Sequence, residues 1–368
     1  MSRTLFYSFI VFYMLALLYL ASSIPIGPHE ATLYYSDAGS LYFLTHIFEN
    51  FFKNSLAFRM PFILFGFLNI PLFFIMSRNY FNKIEESYLA TTIYLLLPGI
   101  IASTILVNIS VLVITFVLLF IIFYEKRILF GQLLSMISLL LLHDASILFF
   151  IALSIFFGVK EKKKYFLLSL ILGLISLYFN GLEIGGRPTG EFLQLFALYL
   201  ALFSPLVFLY FFYALYRISL REQKDILWYI SFTAFIFSIV LSLRQQVDMT
   251  DFAPYVIVSV VLMLLTYHKT LHVRLPIFQK SYRLGFKIVL SSLLFSSTII
   301  LFHPILFYII NDKSQHFAYS FYEPYWHIVK LKKIGKNCYT VKNQKVQYQL
   351  KYYDIEECKE LNVPKIHR

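Results

Sequence analysis

The chain has 368 residues, of which 59% are hydrophobic and 14% charged, and its mean hydropathy is +0.71. That is too apolar for a water-soluble globular domain, so the formal net charge of +12 has to be read by position along the chain and not as an affinity for nucleic acid. The fold class expected is an all-α polytopic membrane protein, in which basic loops between spans report orientation first.

In chain order, the first apolar segment, 4–22, follows only Ser2 and Arg3, and no small-residue cleavage site stands clear of it. It reads as a retained membrane helix. Next comes "IPIGPHEATLYYSD", 24–37, which sets His29, Glu30 and Asp37 among tyrosines. This loop, 23–57, carries an amphipathic stretch over 41–52, where Phe43, Ile47 and Phe51 recur at helical spacing and Lys53 closes the run. Apolar runs then predict spans at 58–77, 88–106 and 109–124, the last two parted at Val107 and Asn108.

Between Arg127 and Lys160 lie 32 residues. As one helix they would measure ~48 Å against a hydrocarbon core of ~30 Å, and His143 and Asp144 would be stranded in mid-bilayer. Two short helices, 128–142 and 146–159, with "HDAS" at the turn between them, remove both objections. Spans at 165–181, 192–214, 226–243, 252–267 and 288–310 bring the total to about eleven. With the N-terminus inside, 17 of the 32 lysines and arginines fall in cytoplasmic segments, 4 in outer loops and 11 in the tail after Asn311. The organisation expected is a membrane domain, 1–310, and a small extramembrane tail, 311–368. In the tail, "CYTVKNQKVQYQLKYYD" alternates β-formers with polar residues about a turn at "KNQK", which predicts a small β-containing element. Cys338 and Cys358 are the two cysteines of the chain. In an oxidising compartment they are expected to pair, two free thiols being the alternative.

Under this topology the outer loops gather His29, Glu30 and Asp37; His143 and Asp144; Glu183, Arg187 and Glu191; and Arg244, Asp248 and Asp251. The inner loops carry simple charge runs, read as solvated or lipid-phosphate-facing surface. Carboxylates with arginines at a membrane interface suit one kind of chemistry, in which Arg holds a lipid-linked anion while a carboxylate deprotonates an incoming hydroxyl or amine. The ordinary polarity of outer loops is the competing explanation. His29 beside Glu30 also invites a divalent metal, for which two adjacent ligands without a third at helical spacing are weak evidence; no cofactor is expected, a divalent metal being the alternative.

"GPHEATLYYSD" straight after the first span resembles the first outer loop of the membrane-embedded GT-C glycosyltransferases, the group that includes protein O-mannosyltransferases and the lipid A aminoarabinose transferase. That loop carries an Asp-Glu pair, then Ala, then an aromatic-containing amphipathic helix. The resemblance runs over roughly residues 1–160: Arg59 and Pro61 open the second span, Leu97 and Pro98 end an apolar stretch, and Asn108 stands where the family often has Asp. Three features depart from it. His29 replaces the first acid, no Lys-Pro-Pro or His-Pro-Pro precedes Arg59, and His143 stands where the family frequently has Lys.

What the resemblance implies is a GT-C-like fold and an inverting transfer of a sugar from a polyprenyl-phosphate carrier to a lipid A, glycan or protein acceptor. The setting implied is the outer face of a bacterial inner membrane, with the tail periplasmic and membrane lipid around the chain. Glu30 would be the base, with Asp37 in reserve and His29 assisting. Arg59, Arg244, Arg187 and His143 would hold the phosphate, unless the arginines snorkel to lipid headgroups. The alternatives are a flippase for lipid-linked saccharides, against which the spans' nearly uncharged middles speak, and a non-catalytic assembly protein.

Overall fold

The computed structural model describes residues 2–35, 40–47, 55–180, 185 and 190–358, and these fold as helices with no strand among them. In chain order the helices are α1 (Arg3–Ser23), α2 (Pro28–Tyr35), α3 (Ser40–His46), α4 (Ser55–Ser77), α5 (Ile84–Leu96) and α6 (Pro98–Ile105). There follow α7 (Ser110–Glu125), α8 (Leu129–Leu142), α9 (Ser146–Val159), α10 (Lys163–Asn180), α11 (Phe192–Phe203), α12 (Pro205–Arg221) and α13 (Ile226–Ser242). The last are α14 (Met249–Ile257), α15 (Val260–Val273), α16 (Pro276–Leu301), α17 (His303–Ile309), α18 (Tyr319–Lys333) and α19 (Gln344–Tyr352). The chain divides into two compact units: Met1–Leu18 with Phe62–Leu301, and Tyr19–Pro61 with Phe302–Arg368.

The larger unit is a bundle of apolar helices, and the chain is a multi-pass membrane protein. Eleven full-length spans are not what it presents. Among the described residues four segments suffice by length and composition to cross a bilayer, Arg3–Ser23, Ser55–Ser77, Met249–Val273 and Pro276–Leu301, and six if two bent pairs each count as one span. The bends have local causes. Pro98 forces Leu97 into an extended conformation (φ −62°, ψ 127°), and α5 meets α6 at 63°. At Pro205 the preceding Ser204 takes φ 77°, ψ 142°, and α11 meets α12 at 105°. The apolar helices α7, α8, α9 and α13 are 14 to 17 residues long. The chain does break at His143–Ala145 and at Leu106–Ile109, where polar residues interrupt the apolar runs. Serines pair across the α9–α10 hairpin, Ser146 with Ser176 and Ser154 with Ser169, both at 2.9 Å.

The smaller unit gathers the loop after α1 and the tail. Where β-structure is expected, its described residues form α18 and α19, with an isolated bridge between Cys338 and Glu356. Asn343, in the segment expected to turn, caps α19 by accepting from Lys345 N at 3.0 Å, and Leu350 turns inward to pack with Ile328, Leu331 and Ile355. α18 ends in a Schellman motif: Gly335 has φ +72°, and the N–H groups of Gly335 and Lys336 donate to Lys332 O and Leu331 O at 3.2 and 3.1 Å. A disulfide joins Cys338 to Cys358, with their Cα atoms 4.9 Å apart. Closing a loop of that length contributes ~3 kcal/mol in the chain-entropy picture. α19 lies against α2. Of the amphipathic stretch 41–52, α3 covers the first part, while Phe51 and Lys53 lie outside the described residues.

Candidate functional site

In the smaller unit, "IPIGP" cannot continue α1, and Pro28 starts α2 as its first residue. Glu30 then occupies the third helical position and reaches back to accept from Gly27 N at 3.0 Å, as the acid of a capping box does. Gly27 admits no side chain, since an added Cβ would lie 2.5 Å from Phe321 Cε1. Arg59, in the second turn of α4, faces the same carboxylate. Its Nε donates to Glu30 Oε1 at 2.9 Å and its Nη2 to Glu30 Oε2 at 2.6 Å, a bidentate pair. The remaining donors go to carbonyls at the end of α1 and just beyond: Ala21 and Ile24 at 2.8 Å, and Pro25 at 2.9 Å. All five guanidinium N–H groups are thus spent, and the side chains of Arg59 and Glu30 are 0% and 3% exposed. The residue expected as base and the one expected to hold phosphate meet each other, and together they tie α1, α2 and α4.

Around this clasp the tail supplies a second layer. Gln349 Nε2 donates to Ile26 O at 2.7 Å, and Ile26 N donates to the Tyr353 hydroxyl at 2.9 Å, so α19 and the residue that follows it hold both backbone groups of one loop residue. Burial pushes the Tyr353 phenol up to about 12. Outside it opens a cavity of about 580 Å³ lined by Tyr34, Tyr35, Phe58, Tyr325, Tyr352 and Tyr353, with Ser22, Thr45, Ser55, Lys351 and Asp354. Lys351 sits 4.4 Å from the Tyr35 ring centroid. His29 is exposed. Asp37 lies outside the described residues, as do Glu183 and Arg187.

The larger unit holds the remaining candidates. His143 ends α8, buried, with Nδ1 2.8 Å from the Tyr255 hydroxyl and Nε2 3.7 Å from Asp251 Oδ1. Asp251 and Tyr255 stand one turn apart on α14, whose first turn is capped by Asp248 accepting from Thr250 N at 2.9 Å. Arg244 is exposed in the segment before α14, and its neighbour Gln245 accepts from Gly185 N at 2.8 Å. Among the described residues no three His, Cys, Asp or Glu side chains come together in a way that would hold a metal.

Sequence reasoning singles out Glu30, Arg59, His143 and Asp251 but not that Glu30 meets Arg59 or that His143 meets Tyr255. Tyr255 escapes it, although a spacing of four from Asp251 on a helix is a usable signal. The tail tyrosines escape it because nothing in the tail's sequence names the loop after α1, against which Tyr348 and Tyr352 pack through Tyr35 and Tyr34. At helical period Tyr348 and Tyr352 fall on one face.

No protein-family model and no curated protein sequence matches the chain. Among solved structures it is similar to ArnT from Cupriavidus metallidurans in the apo state, with a TM-score of 0.55 and 12% identity, over 96% of this chain and 75% of that one. What the two chains share is the GT-C-like fold.

Proposed function

We propose that the chain is an integral-membrane glycosyltransferase that moves a sugar from a polyprenyl-phosphate carrier to a lipid, glycan or protein acceptor, at the outer face of a bacterial inner membrane. The observation that supports this furthest is the GT-C-like fold over 96% of the chain. In such a transfer the phosphate is already a good leaving group, so the protein must position the acceptor, take a proton and stabilise departing charge. The tyrosine-lined cavity suits a carbohydrate, offering apolar ring faces for a sugar's C–H surface and hydroxyl, ammonium and carboxylate groups for its edge.

Because Glu30 and Arg59 are engaged with each other, their role in this reading is to position the loop that carries Asp37. Asp37 is the general base, and the exposed His29 assists it. Arg244 and Arg187 are assigned to the phosphate, and His143 orients α14 through Tyr255.

The test is transfer of labelled sugar from a polyprenyl-phosphate donor by the full chain in vesicles. Asp37→Asn should lower the rate by ~10²- to 10⁴-fold with the thermal midpoint unchanged. Arg244→Ala should raise KM for the carrier more than it lowers kcat. Full activity in Asp37→Asn would remove the base assignment, and a wild-type chain that moves label from none of the polyprenyl-phosphate sugars would end the enzyme reading.

A further inference from the structure

At the end of α8 away from His143, the larger unit holds a second cavity, of about 770 Å³. Three chain reversals bound it: α7 to α8, α9 to α10, and α12 to α13. Four cations line it, Arg127, Lys160, Lys162 and Lys224, against two carboxylates, Glu125 and Asp225, an excess of two positive charges. Two of the lysines are held in place and do not merely wave in solvent. Lys162 Nζ donates to the Tyr124 hydroxyl at 2.9 Å and lies 5.0 Å from that ring's centroid, and Lys224 lies 5.1 Å from the Trp228 ring. Arg127 and Glu161 both adopt positive φ, 57° and 56°, in the two tight turns that bring the first two hairpins to the cavity.

Of the two carboxylates, Asp225 is already engaged. Asp225 accepts from Trp228 N at 2.9 Å as the cap of α13, and it hydrogen-bonds Tyr80. Like charges gathered without enough counter-charge repel, so the cavity favours an anion. Gln132, 4% exposed, also lines it; its Nε2 donates to Phe123 O at 3.1 Å, while its Oε1 has no partner among the described residues. The flank is apolar: beside the lining residue Leu129, α8 exposes Phe130, Leu133 and Leu134 at 77%, 41% and 52%. An anion attached to acyl chains fits both surfaces, and a hydroxyl on its headgroup brings the donor that Gln132 lacks.

We infer that this cavity binds the headgroup of an anionic glycerophospholipid, phosphate against Lys162, Lys224 and Arg127, with its acyl chains along α8. The inference is independent of the transfer reaction.

Native mass spectrometry of the detergent-solubilised full chain, offered phosphatidylglycerol and phosphatidylcholine with the same acyl chains, tests it. Wild type should retain phosphatidylglycerol about tenfold better, a difference of ~1.4 kcal/mol. Lys162→Gln with Lys224→Gln should abolish that preference, while Lys280→Gln with Arg283→Gln, exposed basic positions on α16 outside the cavity, should leave it. Equal retention of the two lipids, or equal loss in both double variants, would overturn the assignment and leave an ordinary solvated basic surface. Displacement of the bound lipid by millimolar glycerol phosphate would assign the cavity to a soluble phosphate and overturn the lipid.

Discussion

Arg59 is the residue on which the loop after α1 depends. Taking a guanidinium out of water is costly, and here a bidentate carboxylate and three carbonyls replace the lost hydration. Arg59→Ala should therefore destabilise the protein by ~3 to 5 kcal/mol, because it strands the Glu30 charge in a buried place. Arg59→Lys should recover only part of this, since an ammonium has three donors where the guanidinium uses five and cannot form the fork. Thermal unfolding in detergent checks both, and a wild-type midpoint for Arg59→Ala would show that the clasp contributes nothing. Composition and position draw attention to Glu30 and Arg59. Their pairing is hidden, because the two lie 29 residues apart and nothing in either segment names the other. His143 and Tyr255, 112 residues apart, are hidden for the same reason.

The elements are legible where a local rule dominates. Apolar runs locate most helices, and the polar interruptions at Asn108 and at His143 with Asp144 mark real breaks. Two further breaks are written in the sequence as Leu97-Pro98 and Ser204-Pro205, but a long apolar run on both sides masks them. Ser204 carries the sharper bend at positive φ, where a side chain is strained, and its hydroxyl bonds Ser292 at 3.2 Å. Ser204→Val should cost ~2 kcal/mol, adding a β-branched side chain at that φ and losing the hydrogen bond. Ser204→Gly should stay within ~1 kcal/mol of wild type, since relief of strain offsets the lost bond and the added chain entropy. Paired melting curves in one detergent compare them, and equal melting of the two would mean that the bend is set elsewhere. The tail fails differently. An Asn cap and a Val-Leu spacing of four outweigh a run of β-formers once Leu350 has Ile328 and Leu331 to pack against.

At the scale of the whole molecule, composition settles the class and charge asymmetry sets the expected orientation. Apolar runs overstate the number of full spans, because a helix of 14 residues measures ~21 Å against a core of ~30 Å. The α8–α9 hairpin therefore sits with one end recessed or with the bilayer thinned beside it. Its two ends differ in kind: His143 and Asp144 lie at the turn, and the basic cavity with Lys162 lies at the other end. Seventeen inner against four outer lysines and arginines predict that the turn faces outward and the cavity inward. Asp144 is exposed at the turn and Lys162 is exposed beside the cavity, so single cysteines placed there report the two sides. Cys338 and Cys358 are bonded to each other and leave the background silent toward a thiol reagent. In right-side-out vesicles, Asp144→Cys should react with a membrane-impermeant maleimide at once, and Lys162→Cys only after permeabilisation. The reverse pattern would invert the topology, expose the basic cavity to the outside and detach the candidate transferase loop from the face on which a lipid-linked sugar would be used.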